Sequence, residues 1–314
     1  NDVLSCLWRE GQPAGDGFFN GRGGHLDLAA CRAGGFAGGF FAVWCSTDPA
    51  TAPDPMAQFR EFPAIDPTRA HIETAEQVAV LLRMVRAQPE AIRLCTSAPQ
   101  IEAARAAGAV AALLHIEGCE GIGAGLDELH LYYAAGLRSL GPVWSRPNIF
   151  GHGVPFNFPA SPDTGPGLTE AGKRLLAECE SLGVLFDLSH LNEAGFWDVA
   201  RLSEAPLVAT HSNAHAITAS SRNLTDRQLQ MIRDSGGMVG LNFATSFLRR
   251  DGKQSADMGW QDVLAHLDHM LAILGEDHLG FGSDFDGATL PQGIGDVTGL
   301  PALQQALIDH GYDA

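Results

Sequence analysis

Apolar and polar positions follow two alternating periods along this chain. Segments with apolar residues three or four positions apart, which predict amphipathic helices, are followed by short apolar runs rich in β-branched residues, which predict buried strands. The alternation extends from residue 21 to residue 287 without an antiparallel hairpin signal and therefore predicts parallel βα units. The predicted helices are His25–Ala33, Ile72–Arg86, Ala98–Ala107, Leu126–Ala135, Thr169–Leu182, Glu193–Arg201, Thr225–Asp234 and Trp260–Leu274. The predicted strands are Phe36–Trp44, Ile92–Thr96, Val110–Ile116, Leu137–Trp144, Val184–Leu188, Leu207–Thr210, Met238–Phe243 and Leu279–Asp284.

Parallel βα units form either a doubly wound open sheet or a closed barrel. No GxGxxG motif opens a helix after the first strand, which argues against a dinucleotide-binding sheet. Polar residues stand at the carboxyl ends of many strands, as in a barrel whose strand ends feed one site. These residues are Glu117, His190, His211, Asn242 and Asp284. The sequence therefore predicts a single (β/α)₈ TIM barrel over residues 1–314.

The number of predicted strands exceeds the eight places of such a barrel by one. The ninth candidate is the strand that Asn1 and Asp2 would end, and we expect the short run Ile92–Thr96 to lie outside the barrel. Residues 48–68 and 145–166 predict long loops, and loops of such length in a compact domain are usually functional or disordered.

Composition and charge narrow the function further. The chain is 45% hydrophobic and 18% charged, and no apolar run approaches the roughly 18 residues of a transmembrane helix. The net charge of −17, without a cluster of Lys or Arg, argues against nucleic acid as a partner. The six cysteines form no CxxC motif and several lie in apolar runs, so we expect reduced core thiols in a cytoplasmic protein rather than a disulfide framework. A homodimer is favoured only by base rates.

The ends of the sequence bear on these expectations. It begins at Asn1 without a Met and stops at Ala314, within what reads as a loop. We therefore expect a fragment of a longer product, truncated at both ends, so the lack of a signal peptide or anchor excludes neither.

The residues at the strand ends are of types that bind divalent metal ions. His190 and His211 end neighbouring strands joined by a helix, so their imidazoles should emerge side by side. Imidazoles with the carboxylates of Asp2 and Glu117 suit Zn²⁺ or a similar divalent ion, and Asp284 is then left to carry protons. The alternative for the histidines is a hydrogen bond to backbone at each strand end.

Several strings together resemble the membrane (renal) dipeptidase family, metallopeptidase family M19. They occur in the family's order, from the first residue to about residue 300. They are Leu114-His115-Ile116-Glu117-Gly118, Asp187-Leu188-Ser189-His190, Thr210-His211-Ser212-Asn213, Ser221-Arg222-Asn223 and Gly282-Ser283-Asp284-Phe285-Asp286-Gly287.

The resemblance implies a fold, an activity and a role for each residue. The fold would be a (β/α)₈ barrel of the metal-dependent amidohydrolase type with two zinc ions, and the activity would be the hydrolysis of dipeptides by a bridging hydroxide. Glu117 would bridge the ions, and His190 and His211 would complete the ligands of one. Asp2 would bind the other ion, with a family histidine that falls just before Asn1. Asp284 would be the general acid and base.

The resemblance also implies how the substrate is held. Arg222 would receive the free carboxylate of the dipeptide, for which a bidentate guanidinium is well suited. Trp144 stands where mammalian members have a histidine that contacts the scissile carbonyl oxygen, and Trp cannot supply a cation. His152, on the loop 145–166, could take that place, or it could simply face solvent.

Two alternative functions remain compatible with these residues. The same metals and hydroxide could deacylate N-acyl amino acids or open lactam rings, since Arg222 fits any substrate with a free carboxylate. A non-catalytic, metal-stabilised barrel that binds a small ligand is the second alternative, although the retention of Asp284 argues against it.

Overall fold

A computed structural model describes residues 1–54, 57 and 59–313, and this part of the chain alternates helices with parallel strands. The strands are β1 Gly38–Val43, β2 Ile92–Leu94, β3 Val110–Glu117, β4 Leu137–Gly141, β5 Leu185–Phe186, β6 Val208–Ala209, β7 Met238–Asn242 and β8 Leu279–Gly282. The α-helices are α1 Val3–Arg9, α2 Asp16–Asn20, α3 Leu28–Ala33, α4 Pro67–Ala87, α5 Ala98–Ala106, α6 Asp127–Ala134, α7 Glu170–Leu182, α8 Glu193–Leu202, α9 Asp226–Asp234, α10 Thr245–Leu248, α11 Trp260–Leu274 and α12 Leu300–His310.

The strands form a (β/α)₈ barrel, as the sequence predicted. Strands β1, β3, β4 and β5 are neighbours in one sheet, and β6, β7 and β8 are neighbours in another, with parallel pairing throughout. A parallel bridge between Asp187 and Val208 joins the two sheets. Because all of the strands run the same way, their carboxyl ends meet on one face of the barrel.

The ring is closed at that face by the first two residues. The amide of Ala42, in β1, donates to the carbonyl of Asn1 over 2.9 Å, and the amide of Asp2 donates to the carbonyl of Phe285 over 2.9 Å. Asn1 and Asp2 therefore lie between β1 and the residues after β8. Strand β2 pairs only with the first half of β3 and lies off the path of the sheet, as expected for Ile92–Thr96.

Several elements differ in length from the prediction. Helix α4 begins at Pro67, five residues earlier than predicted, because the carboxylate of Asp66 accepts a hydrogen bond from the amide of Arg69. Such a cap contributes about 1 kcal/mol, and the Asp-Pro pair is a sequence signal for it. Strand β6 stops before Thr210 because the amide of Thr210 donates to the Asp187 side chain instead of a neighbouring strand.

One contiguous cluster of buried apolar side chains, from Val3 to Leu303, fills the space between barrel and helices. Fully buried aromatic residues such as Phe41 and Phe196 belong to it, and each such side chain contributes about 2–3 kcal/mol through burial. Among the described residues, no helix combines the length and apolar character needed to cross a membrane.

Two glycines set the spacing of the strands below His211. A Cβ atom on Gly240 would lie 2.0 Å from the carbonyl oxygen of Thr210, and one on Gly282 would lie 2.1 Å from the same atom. Only residues without a side chain allow β7 and β8 to approach the end of β6 this closely. The tight approach fixes the backbone position of His211.

Candidate active site

Three side chains from separate strand ends converge at the carboxyl face of the barrel. Glu117 ends β3, and His190 and His211 follow β5 and β6. Glu117 Oε1 lies 2.9 Å from His190 Nε2 and 3.0 Å from His211 Nε2, and the two nitrogens are 3.1 Å apart. All three side chains are nearly buried, so the parallel strands have brought together the three residues that the sequence indicated.

The partners of His211 determine which of its nitrogens offers a lone pair. Thr210 Oγ1 donates to Asp187 Oδ2 over 2.6 Å, so its oxygen must accept from His211 Nδ1, which lies 2.8 Å away. In the neutral imidazole, Nε2 then carries a lone pair that faces the oxygen of Glu117. A carboxylate or carboxylate-linked hydroxyl commonly orients a metal-binding histidine in this way. Asp187 therefore orients His211 through the hydroxyl of Thr210.

His190 is held by a different pair of groups. Its Nδ1 atom lies 2.7 Å from Ser145 Oγ and accepts a hydrogen bond from Arg222 Nε over 3.2 Å. The backbone of His190 has a φ of +69°, a left-handed conformation that costs about 1 kcal/mol or more in a residue with a side chain. This conformation turns the imidazole from the strand end towards Glu117.

Burial and charge set the protonation of the cluster. Burial would raise the pKa of the Glu117 carboxyl, but its contacts with His190 and His211 outweigh this and hold the pKa well below its usual range. Burial and the positive charge of Arg222 lower the pKa of His190 to about 3. An ionised carboxylate beside a neutral imidazole is the form in which these groups bind metals.

The arrangement fits a divalent cation. Two acceptor atoms, Glu117 Oε1 and the lone pair of His211 Nε2, face each other at 3.0 Å, a contact that a shared cation makes favourable. One carboxylate and two imidazoles form a donor set typical of catalytic zinc sites, which leave a further position for water. Among the described residues, this is the one group of three His, Cys, Asp or Glu side chains whose ligand atoms all lie within 4.8 Å of one another.

Asp2 lines a cavity that Glu117 and His190 also line. It occupies the N-cap position of α1 without accepting a capping hydrogen bond, so its carboxylate is free to face the cavity. Burial and the nearby Glu117 carboxylate raise the pKa of Asp2 well above its usual range. A group of carboxylates whose charges repel each other is stabilised by a bound cation.

Asp284 follows β8 and lines the same cavity as Asp2, Glu117 and His190. Its backbone has a φ of +57°, and its Oδ2 atom accepts a hydrogen bond from Asn242 Nδ2 over 3.0 Å. Asn242 ends β7, so a second strand end fixes the orientation of the carboxylate. The other oxygen of Asp284 accepts no hydrogen bond from the described residues and is available to a substrate or a water.

A cavity of about 320 Å³ is lined by Asp2, Glu117, His190 and Asp284. One wall is aromatic: the Trp144 ring lies 5.7 Å from the ring of His190, 5.4 Å from Phe156 and 4.6 Å from Phe62. The guanidinium of Arg146 lies behind Trp144, 4.6 Å from its ring centroid. Trp144 is therefore held in place from both sides and forms part of the cavity wall.

The other two predicted substrate-binding residues do not line this cavity. Arg222 is 3% exposed; its Nη1 donates to Ser212 Oγ and its Nη2 to the carbonyl of His211. His152 is half-buried, and its backbone carbonyl accepts from the amide of Asn192.

Sequence reasoning missed several groups of the site. Ser145 contacts His190 from 45 residues away, and Arg60, on the loop before α4, lines the cavity. Neither has a sequence signal of its own. Thr210 directly precedes His211 and Asp187 lies three residues before His190, and this closeness to the histidines was a usable signal, since a carboxylate near a ligand often orients it.

Comparisons with known proteins identify relatives over the whole chain. The sequence profile of the "Membrane dipeptidase (Peptidase family M19)" family matches residues 2–314. A Klebsiella pneumoniae protein, described as uncharacterized and encoded in the pqqA 5' region, is 49% identical over 238 residues, which cover 76% of this chain and 88% of that protein.

Two solved structures are similar to the whole chain. One is a metallo peptidase from Rhodobacter sphaeroides, liganded with a phosphinate mimic of the dipeptide L-Ala-D-Ala. It has 57% sequence identity and a TM-score of 0.95, with 100% of this chain and 92% of that chain covered. The other is the dipeptidase AC, a metallo peptidase of family M19, with 59% identity, a TM-score of 0.94, and 100% and 91% covered.

Proposed function

The chain belongs to the membrane dipeptidase family, peptidase family M19, and we propose that it hydrolyses dipeptides at the site around Glu117. Membership makes it a metallo-dipeptidase, a hydrolase of peptide bonds. The metallo peptidase from Rhodobacter sphaeroides binds a mimic of a dipeptide, which supports a dipeptide as the substrate here. The observation that carries the proposal is the convergence of Glu117, His190 and His211 within 3.1 Å of one another.

We propose that the metal is zinc and that two ions are held. Glu117 would bridge them, His190 and His211 would complete one site, and Asp2 would contribute to the other. Divalent ions at this place supply polarisation of the peptide carbonyl and a nucleophilic water near neutral pH. The raised pKa of Asp2, caused by burial and by Glu117, supports a second cation between these carboxylates.

Asp284 carries the protons of the reaction. Its Oδ1 atom takes a proton from the attacking water and delivers it to the departing amine, while Asn242 holds Oδ2. The hydrogen bond from Asn242 keeps the carboxylate in one orientation, which is what proton transfer in both directions requires.

Arg222 and Trp144 define the substrate. Arg222 does not line the cavity, so it would reach the free α-carboxylate only after a movement, using the terminal hydrogens that Ser212 and His211 do not occupy. A bidentate contact of this kind would restrict cleavage to dipeptides. Trp144 would form an apolar wall beside the scissile bond. His152 would contact the substrate only after a movement of its loop, because its side chain does not line the cavity.

A metal-content assay combined with a substrate screen tests the proposal. Purified protein is stripped with a chelator, reloaded with zinc, and assayed against L-L and L-D dipeptides, a tripeptide, an N-acetyl amino acid and a lactam. We expect about two ions per chain and hydrolysis of dipeptides alone. A preference for the N-acetyl amino acid or lactam, or turnover that survives complete removal of metal, would contradict the proposal.

Location and assembly are proposed on separate grounds. All six cysteines are free, and three of the five buried ones lie in the main apolar core, which suits a reducing compartment such as the cytoplasm. A homodimer is the oligomer we expect from base rates, and light scattering of the eluting protein would measure it.

A further inference from the structure

Arg60 faces the active-site cavity, and no acidic side chain among the described residues pairs with its charge. Arg60 lies on the loop before α4, is half-buried and lines the same cavity as Glu117, His190 and Asp284. Among the described residues its guanidinium forms no ion pair, and it lies over the ring of Phe156, whose centroid is 5.6 Å away. A partly desolvated cation without a counter-ion is costly unless an anion binds to it.

The backbone of Arg60 is fixed by hydrogen bonds, although no described residue forms a hydrogen bond with its guanidinium. Its amide donates to Asn157 Oδ1 over 2.9 Å, and its carbonyl accepts from the amide of Phe156 over 3.2 Å. Asn157 is fixed in turn by Ser221, whose Oγ accepts from the Asn157 amide and whose amide donates to the Asn157 carbonyl. Ser221 immediately precedes Arg222, so the two arginines are anchored to one network on the same side of the site.

The aromatic wall extends from Arg60 to the metal ligands. Phe156, beneath the guanidinium of Arg60, has its ring centroid 6.2 Å from that of His190. The extended backbone of two residues spans about 7 Å, so one dipeptide can reach from the strand ends to this wall. Burial lowers the pKa of Arg60.

A neighbouring arginine shows the contrast. Arg9 also lines the cavity, but its Nε donates to the carbonyl of Ser5 and its Nη2 to Ser5 Oγ. Its guanidinium is therefore already engaged within α1. Arg60 is left as the cavity arginine whose donors are unused by the described residues.

We propose that Arg60 binds a second carboxylate of the substrate, so that the enzyme prefers dipeptides with an acidic C-terminal side chain, Asp or Glu. The assignment rests on the proposed function, in which Arg222 receives the α-carboxylate of that same residue. Two arginines anchored on one side of the site match the two carboxylates of a C-terminal Asp or Glu, and the fork of Arg60 can hold the second one bidentately.

The test compares two nearly isosteric substrates, Ala-Asp and Ala-Asn, on the zinc-loaded enzyme. Wild type should favour Ala-Asp in kcat/KM, and Arg60→Gln should reduce that preference by about tenfold or more, mainly through KM, since a hydrogen-bonded charge pair is worth about 1.5–3 kcal/mol. Any change for Ala-Asn should be smaller than the change for Ala-Asp. Arg60→Lys should restore part of the preference, and Arg9→Gln, which removes the same charge from the same cavity, should leave it unchanged.

Binding gives a readout that does not depend on turnover. Phosphinate mimics of Ala-Asp and Ala-Asn, titrated calorimetrically into wild type and Arg60→Gln, should show the same loss of discrimination. An equal Ala-Asp to Ala-Asn ratio in wild type and Arg60→Gln, or an equal loss in Arg9→Gln, would overturn the role of Arg60. Failure of the wild type to hydrolyse Ala-Asn and every other dipeptide would instead overturn the proposed function on which it rests.

Discussion

The guanidinium Nε of Arg222 donates a hydrogen bond to Nδ1 of His190 over 3.2 Å. Because a guanidinium only donates, Nδ1 must accept, and the ring proton lies on Nε2, towards Glu117. Ligation of a cation through Nε2 requires the opposite tautomer, with the proton on Nδ1 and Ser145 Oγ as its acceptor. We therefore expect the contact between Arg222 and His190 to break when metal binds, which frees a donor of Arg222.

Replacing Arg222 separates its role in substrate binding from its role beside His190. Arg222→Ala should raise KM for dipeptides by about tenfold or more, because a charged hydrogen-bond donor to the α-carboxylate is lost. Steady-state kinetics and zinc content are measured on the same preparations, with Arg222→Lys as the variant that keeps the charge. An unchanged KM would contradict the carboxylate role, whereas a loss of zinc alone would show that Arg222 only positions the ligand.

Replacing Asp284 removes the proton carrier without removing a metal ligand. Asp284→Asn should lower kcat by about 10²–10⁴-fold, since the amide keeps the shape but cannot accept the proton. Zinc per chain, measured by mass spectrometry, should stay at the wild-type value. The surface variant Asp277→Asn on the loop before β8 controls for the change in charge. A fall in zinc content in Asp284→Asn would identify Asp284 as a ligand instead.

A single methyl group in β8 should disturb the barrel beneath His211. In Gly282→Ala, the new Cβ would lie 2.1 Å from Thr210 O and 2.6 Å from His211 Cβ, so we expect a loss of about 1–3 kcal/mol in the free energy of unfolding and weaker zinc binding. Gly280→Ala, in the same strand, is the matched control because the nearest atom to its Cβ would be Met238 Sδ at 3.7 Å. Urea denaturation of both variants decides; equal stability would refute the steric account.

His266 should make stability depend on pH independently of the active site. It is fully buried in α11: Nδ1 accepts from the amide of Ala214, and Nε2 lies 3.1 Å from the carbonyl of Leu248. Burial lowers its pKa to about 3, whereas a histidine in an unfolded chain has a pKa of about 6.5.

Below about pH 6.5 His266 binds a proton in the unfolded chain but not in the native protein, so the free energy of unfolding falls as the pH falls towards 3. The contribution of this group should reach about 1.4 kcal/mol for each pH unit below about 6. Urea denaturation of metal-free wild type and His266→Gln between pH 7.5 and 5 measures it. The variant should show a shallower slope, and parallel slopes would contradict the prediction.

The sequence by itself determined the barrel and the choice of its main site residues. The alternation of helical and strand periods required parallel βα units, and parallel strands end on one face, which brought Glu117, His190 and His211 to one place. The Asp66-Pro67 pair is also a signal in the sequence for the start of α4, because capping is a local interaction between neighbours in the chain.

Only the tertiary structure decided how those residues are held and which others join them. Ser145 reaches His190, Arg60 enters the cavity, and Asp187 orients His211 through Thr210. These contacts depend on the path of long loops and on the closeness of strands, which glycines such as Gly282 set to within a fraction of an ångström. Local periodicity reports which face of an element is buried, but it contains no information on which distant side chain meets that face.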